Sequence, residues 1–291
     1  MKMIISIPKL PARRRDANKG DFGRILIVGG SRDMPGAISL AANSALRSGA
    51  GLVTVAIPDS IQQTVVSLAP CATSMPLPRD EHGLISQIAL PDLIDVTIRQ
   101  KKFDVIAVGP GLGRAQPMVT FINEINRAGI PIVIDADALN LLSEIDWHSL
   151  LDGPCVITPH PGELSRLLKT SISQIQSDRQ NFAVRTAKLM KGNSSVCLLK
   201  GEQTVVTDGE QIYINQTGNP GMATGGAGDV LTGVIAALMG QKLSPFDAAV
   251  LGAYVHGLAG DLAAKELGEI SLTASDLLRF LPSAFKTNQK S

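Results

Sequence analysis

Short apolar runs, mostly without polar alternation, recur through the first two-thirds of the chain at 25–28, 52–57, 105–108, 132–134, 156–157 and 196–199. Runs of this kind are expected of strands covered on both faces. The gaps between them carry helical patterns. Ile38, Ala41, Ala42, Ala45 and Gly49 share one face after Pro35-Gly36, and residues 177–190 form a charged amphipathic helix. Strands alternating with crossover helices predict a doubly wound, mostly parallel α/β sheet with helices on both faces. Near residue 200 the pattern changes: segments 204–207 and 211–214 flank Asp208-Gly209, a hairpin signal. Antiparallel strands are therefore expected at one edge of the sheet. After Gly225 the chain turns helical, at 230–239, 245–266 and 274–281. No internal repeat or long linker divides it, which predicts a single domain over 1–291.

Composition narrows the function classes. The chain is 44% hydrophobic but only 3% aromatic, so small aliphatic side chains must fill the core, and its net charge of +1 offers no field for nucleic acid or an acidic membrane. The one basic run, Arg13-Arg14-Arg15, reads as a solvated N-terminal arm. Cys71, Cys155 and Cys197 are too few and too scattered for a disulfide framework or zinc site, and the last two lie in apolar runs. Pro8 and Pro11 interrupt the N-terminus where a signal peptide needs an apolar stretch, and no segment reaches the ~20 apolar residues of a membrane span. A cytoplasmic protein is expected, in which the sequons at Asn193 and Asn215 carry no function.

Candidate chemistry gathers after the strands. Five runs end in Gly29-Gly30-Ser31, Gly109-Pro110-Gly111-Leu112-Gly113, Asp135-Ala136-Asp137, Thr158-Pro159-His160-Pro161-Gly162-Glu163 and Lys200-Gly201. Ligands of an open parallel sheet bind outside the carboxyl ends of its strands, so these loops are expected to line one crevice. Gly225-Gly226-Ala227-Gly228-Asp229 runs straight into an apolar helix. Small residues there expose unpaired N–H groups, and the helix dipole adds positive charge, which together suit a phosphoryl group. Asp229 could take a proton from an acceptor hydroxyl or simply stabilise the helix end. His160, bracketed by prolines, is the histidine expected to act, whereas His256 on an apolar helix reads as core. Glu163 is either a first-turn acid or a group that orients a metal-bound water. Asp135 and Asp137 divide between turn chemistry and the crevice, and Lys200 between phosphate contact and solvent. No G-x-x-x-x-G-K-[ST] motif occurs, and Gly109 to Gly113 is not a dinucleotide fingerprint.

These segments in this order, together with Met34-Pro35-Gly36-Ala37 and Gly218-Asn219, resemble the ADP-dependent NAD(P)H-hydrate dehydratases, a branch of the ribokinase-like superfamily. The match runs from Lys19 to Leu281. The resemblance implies a ribokinase-like three-layer sandwich and a repair reaction on the (6S)-hydrates of NADH and NADPH. In that reaction ADP phosphorylates the ring hydroxyl, phosphate leaves, and NAD(P)H and AMP are released. It places Ala37, Gly111, His160 and Asp229 at the hydrate, Lys200, Gly201, Glu202, Gln203 and Thr204 beside the nucleotide, Gly225 and Gly228 at its phosphate, and Asp229 as the base. It also implies Mg2+ as cofactor and assembly as a homotetramer. In the wider superfamily an Asn-x-x-Glu motif organises magnesium; here His160-Pro161-Gly162-Glu163 stands in its place, with the Glu kept and the Asn replaced, so the metal role that the resemblance implies for Glu163 departs from the family pattern. About twenty residues precede the match, so the epimerase that many relatives carry is expected to be elsewhere or absent, a separate epimerase acting on the same pool being the expected partner. Two rival functions share these loops: a small-molecule kinase of the same fold, which keeps its phosphorylated product, and a non-catalytic nucleotide sensor, which has no use for Asp229.

Overall fold

Side chains alternate between the two faces of a strand, so a strand apolar throughout needs cover on both. The computed structural model, which describes residues 1–192 and 194–290, supplies that cover. Ten strands, β1 (Lys2–Ile4), β2 (Arg24–Val28), β3 (Leu52–Pro58), β4 (Thr73–Leu77), β5 (Val105–Val108), β6 (Ile132–Ile134), β7 (Cys155–Ile157), β8 (Ser195–Leu199), β9 (Val205–Thr207) and β10 (Gln211–Ile214), form one sheet. Its order is β1-β10-β9-β8-β7-β6-β5-β2-β3-β4. Every pair from β8 through β4 is parallel, and β8-β9 and β9-β10 are antiparallel. The α-helices are α1 (Pro35–Arg47), α2 (Gln62–Leu68), α3 (Leu90–Ile94), α4 (Pro117–Arg127), α5 (Asp137–Leu142), α6 (Pro161–Leu168), α7 (Ile172–Ser177), α8 (Arg179–Leu189), α9 (Ala227–Gly240), α10 (Pro245–Leu267) and α11 (Ala274–Lys290).

Two cores result, one on each side of the sheet. Ile25, Ile27, Val105, Ala107, Val133, Val156 and Val196 face α1, α9, α10 and α11. Their neighbours Leu26, Val28, Ile106, Val108, Ile134, Ile157 and Cys197 face α3 to α8. The fold is thus the expected three-layer α/β sandwich. Close helix packing depends on the small residues that composition singled out: a Cβ on Gly233 of α9 would stand 2.0 Å from the Ala41 carbonyl of α1. Among the described residues, no helix is long and apolar enough to cross a membrane.

Several expectations need correction. The strands β1 and β4 lie at the two edges, where a short strand (β1) or one carrying Pro76 (β4) shows no apolar run. The hairpin is one strand in from the edge, because β1 pairs parallel to β10. The helix expected over 177–190 is interrupted at Asp178, whose side chain accepts from the Asn181 N–H and starts α8. The last helix continues through Pro282 to Lys290 rather than stopping at 281. The basic arm is latched as well as solvated. Arg13 lies 3.8 Å from the centroid of the Phe22 ring and donates to the Gly49 carbonyl at 2.7 Å. The sequon at Asn193 lies outside the described residues, and Asn215 is buried, its amide donating to the Thr217 and Ala253 carbonyls.

Candidate active site

The strand-end loops meet around Lys200, the residue that follows β8. Its ammonium donates to Asp135 Oδ1 at 2.6 Å and lies 3.7 Å from Glu163 Oε2. Asp135, at the end of β6, is buried, and its second oxygen accepts from Thr232 Oγ1 of α9 at 2.7 Å. This carboxylate therefore ties the ends of β6 and β8 to the second turn of α9. Burial works against the Lys200 charge, but Asp135 and Glu163 outweigh it and raise its pKa. Between Asp135 and Asp137 the chain passes through Ala136 at φ 50°, a left-handed backbone that a non-glycine residue adopts only at a cost. That turn sends the two carboxylates to different partners: Asp137 Oδ2 accepts from the Gly113 N–H at 2.8 Å.

Helix α9 begins above this pair. Gly226, its N-cap, has φ 91°, and Gly228 sits where a Cβ would lie 3.2 Å from Lys200 Nζ and 3.7 Å from Asp135 Oδ2. Gly225 has open space around it. The free N–H groups of this first turn thus stand beside a buried ammonium, two sources of positive potential converging at one place. Asp229 occupies the same turn. Burial, reinforced by Asp135, pushes its carboxyl pKa up to about 7, with Lys200 opposing. Asp137, which binds the glycine loop through the Gly113 N–H, and Glu163 reinforce the rise. At that loop, Gly111 has φ 62° and its Cα closes on α1, where a Cβ would lie 2.7 Å from the Met34 carbonyl and 3.0 Å from Ala37 Cβ. Ala37 and Gly111 are therefore neighbours.

The loop before α6 does two jobs. His160 is the N-cap: its Nδ1 accepts from the N–H groups of Gly162 and Glu163 at 2.9 and 3.2 Å, while Glu163 Oε2 accepts from the His160 N–H at 2.8 Å. Such a reciprocal box starts a helix. With Nδ1 accepting, the neutral ring carries its proton on Nε2, 3.4 Å from Glu163 Oε1; partial burial, with the Lys200 and Arg166 charges, lowers the His160 pKa. Burial also pushes the Glu163 pKa up to about 7, against the pull of Lys200. His160, the histidine expected to act, is thus also part of the fold. His160→Ala should cost about 1 kcal/mol of stability through the lost cap, and thermal unfolding will show it. His160→Asn keeps a capping side chain, so a rise in the hydrate's KM common to both variants isolates the ring's contribution.

Lys200 to Thr204 forms a tight turn in which Thr204 Oγ1 donates to the Gly201 carbonyl and Gln203 has φ 51°. Arg179, which the sequence did not single out, donates to the Leu199 and Lys200 carbonyls and packs on Gly201. A cavity of about 400 Å³, lined in part by Arg179, Asn181, Gln203 and Val205, adjoins this turn. Two further residues were missed, Thr232 and the active-site side of His256. Thr232 lies one helical turn after Gly228, a spacing that could have flagged it; nothing local marks Arg179.

Among the described residues no group of three or more His, Cys, Asp or Glu is arranged to hold a metal ion. Both oxygens of Glu163 face the protein's own donors. The donor set therefore does not form a direct cage. It fits a magnesium held chiefly by nucleotide phosphates and waters.

A family model described as NAD(P)H-hydrate dehydratase matches residues 25–283. The chain belongs to that family. This NAD(P)H-hydrate dehydratase family member is 48% identical over 279 residues to the bifunctional NAD(P)H-hydrate repair enzyme Nnr of Moorella thermoacetica, covering 94% of this chain and 51% of the relative. It is 39% identical over 275 residues to the Nnr of Escherichia coli, covering 94% and 49%. The chain thus spans about half the length of these relatives. Its fold matches the crystal structure of an ADP/ATP-dependent NAD(P)H-hydrate dehydratase from Bacillus subtilis, co-crystallised with ATP and Mg2+, at TM-score 0.83 and 30% identity, covering 96% of this chain and 95% of that one. A hydroxyethylthiazole kinase from Pyrococcus horikoshii, at TM-score 0.60 and 16% identity, shares the ribokinase-like fold alone.

Proposed function

We propose that this chain dehydrates the (6S)-hydrates of NADH and NADPH, with ADP as phosphoryl donor and release of AMP and phosphate. The observation that carries the reading is Asp229: a carboxylate with its pKa raised to about 7, in the first turn of α9 beside Gly228 and Lys200. Such a group is poised to accept a proton near neutral pH. In the proposed reaction the ring hydroxyl of the hydrate gives its proton to Asp229 and attacks the terminal phosphorus of ADP. The bond to the bridging oxygen breaks and AMP leaves. The N–H groups of Gly225 and Gly228, with Lys200, stabilise the charge on the phosphoryl group in transit. The ring nitrogen then pushes out phosphate, a far better leaving group than hydroxide, and loss of a proton from the adjacent ring carbon restores the double bond.

Ala37, Gly111 and His160 would hold the hydrate, and Lys200, Gly201, Glu202, Gln203 and Thr204 would border the nucleotide. Magnesium would offset phosphate charge, with Glu163 reaching it through a water. A homotetramer, a cytoplasmic location and a partner epimerase activity on the same hydrate pool complete the proposal. The bifunctional relatives support the last of these.

The test is incubation with the S hydrate, ADP and Mg2+. NADH absorbance should appear in step with AMP. A stable phosphorylated product without NADH would establish the kinase instead, and nucleotide binding with no turnover the sensor. The base must be ionised to act, so kcat should rise with pH through about 7 and then level off, following the Asp229 pKa. A profile flat from pH 5.5 to 8.5 would remove Asp229 from that role.

A further inference from the structure

Helix α10 holds the approach to the phosphoryl site from behind. Its Ala253 and Tyr254 carbonyls accept from Asn215 Nδ2 and Thr217 Oγ1, and Asp261 accepts from the Gly218 N–H and the Asn219 amide. Between these contacts lies His256. Its Nε2 is 2.9 Å from the carbonyl oxygen of Ala227, the first residue of α9. A carbonyl only accepts, so Nε2 carries the proton. The ring is buried, and burial pushes its pKa down to about 4, which keeps it neutral at ordinary pH.

The carbonyl of Ala227 and the N–H of Gly228 belong to one peptide unit. That unit is planar, so whatever fixes the direction of the oxygen also fixes the direction of the N–H. In a helix the two point oppositely along the axis, which aims the Gly228 N–H out of the first turn toward the site. A hydrogen bond accepted by the carbonyl also polarises the amide and makes the N–H a stronger donor. We propose that His256 is a positioning residue that holds the Ala227–Gly228 peptide plane from behind and so aims and strengthens the Gly228 N–H toward the transferring phosphoryl group. The inference rests on the reading that the start of α9 receives that group. It gives the buried histidine a part in the reaction that it performs without touching the substrate.

The test compares His256→Phe, which keeps a ring and loses the donor, with His256→Gln, whose amide can place a donor near Nε2. Removing an anion-hole donor outright costs about 10²–10³ in kcat. Losing only its alignment should cost about 10- to 100-fold in His256→Phe, with the hydrate's KM little changed. His256→Gln should recover most of the loss. In protein labelled with 15N-glycine, the Gly228 amide resonance should move upfield in the Phe variant and return in the Gln variant. Wild-type kcat in His256→Phe, equal loss in both variants, or an unmoved Gly228 resonance would overturn the proposal. Should His256→Phe not fold, His256→Met takes its place. If the wild type itself yields no NADH, the dehydratase reading fails and the Gly228 resonance alone decides this one.

Discussion

Asp229→Asn is expected to lose about 10²–10⁴ in kcat, the range for removal of a positioned general base, while nucleotide affinity holds. The glycine N–H groups and Lys200 remain, so every group proposed to hold the phosphate is kept. Stability should rise rather than fall at alkaline pH. The folded-state pKa of Asp229, about 7, lies above the ordinary aspartate value of 3.8. Between those values the folded chain retains a proton that the unfolded chain has lost, so stability falls as pH increases through the window. Above it the wild type carries a half-buried charge that asparagine does not. Asp229→Asn should therefore melt higher than wild type at pH 8 and about equally at pH 4. Single-turnover kinetics, nucleotide titration and scanning calorimetry check the three parts. A variant that keeps more than about a tenth of wild-type kcat, well short of the loss of a base, would leave Asp229 as a helix-end carboxylate only.

Asp135→Ala should be the most destabilising single change at the site. It strands the Lys200 ammonium, held at 2.6 Å, and the Thr232 hydroxyl, held at 2.7 Å. Breaking a buried ion pair from one side costs about 3–5 kcal/mol, a drop in Tm on the order of 10 °C for a chain of this size. Replacing both partners by apolar residues, Asp135→Leu with Lys200→Met, should recover part of that stability, because the ammonium no longer sits without its main counter-charge, while Glu163 loses the Lys200 contact at 3.7 Å. Nucleotide affinity should stay low in the double variant, since Lys200 is gone. A single variant with unchanged Tm, or a double variant that binds nucleotide normally, would contradict the pairing. The Asp135 charge also helps to raise the Asp229 pKa. Wherever Asp135→Ala retains activity, the acidic limb of its pH profile should move downward.

Much of the site was legible because its signals are local. The run Gly225 to Asp229 states in five residues that a helix starts with free N–H groups and a carboxylate beside them. The two prolines around His160 locate a rigid loop, but they say nothing of which way the ring turns. It turns back onto its own helix, and the cap went unseen because histidine is rarely the residue that makes one. The histidine judged to be core, His256, is core, yet its ring reaches the backbone of α9, 29 residues away in sequence. Asp135 could be recognised as a strand-end carboxylate. That it pairs with Lys200 and Thr232, 65 and 97 positions on, has no trace in the spacing.

The sequence by itself determined the layered α/β architecture, since strands buried on both faces must be apolar at every position and so announce themselves. It also determined the order of the loops, their place at one edge of a parallel sheet, and the family, because runs of particular residues in a particular order suffice for each. It could not determine the edge strands β1 and β4, which are not buried on both faces and need no such pattern. Only the tertiary structure decided that Lys200 is a paired, mostly buried ammonium, that burial pushes the Asp229 carboxyl up to about 7, and that the Ala227 carbonyl has a donor behind it. Desolvation and Coulomb interactions depend on distance in space, and the groups responsible come from β6, β8, α6, α9 and α10, which meet only after the chain has folded.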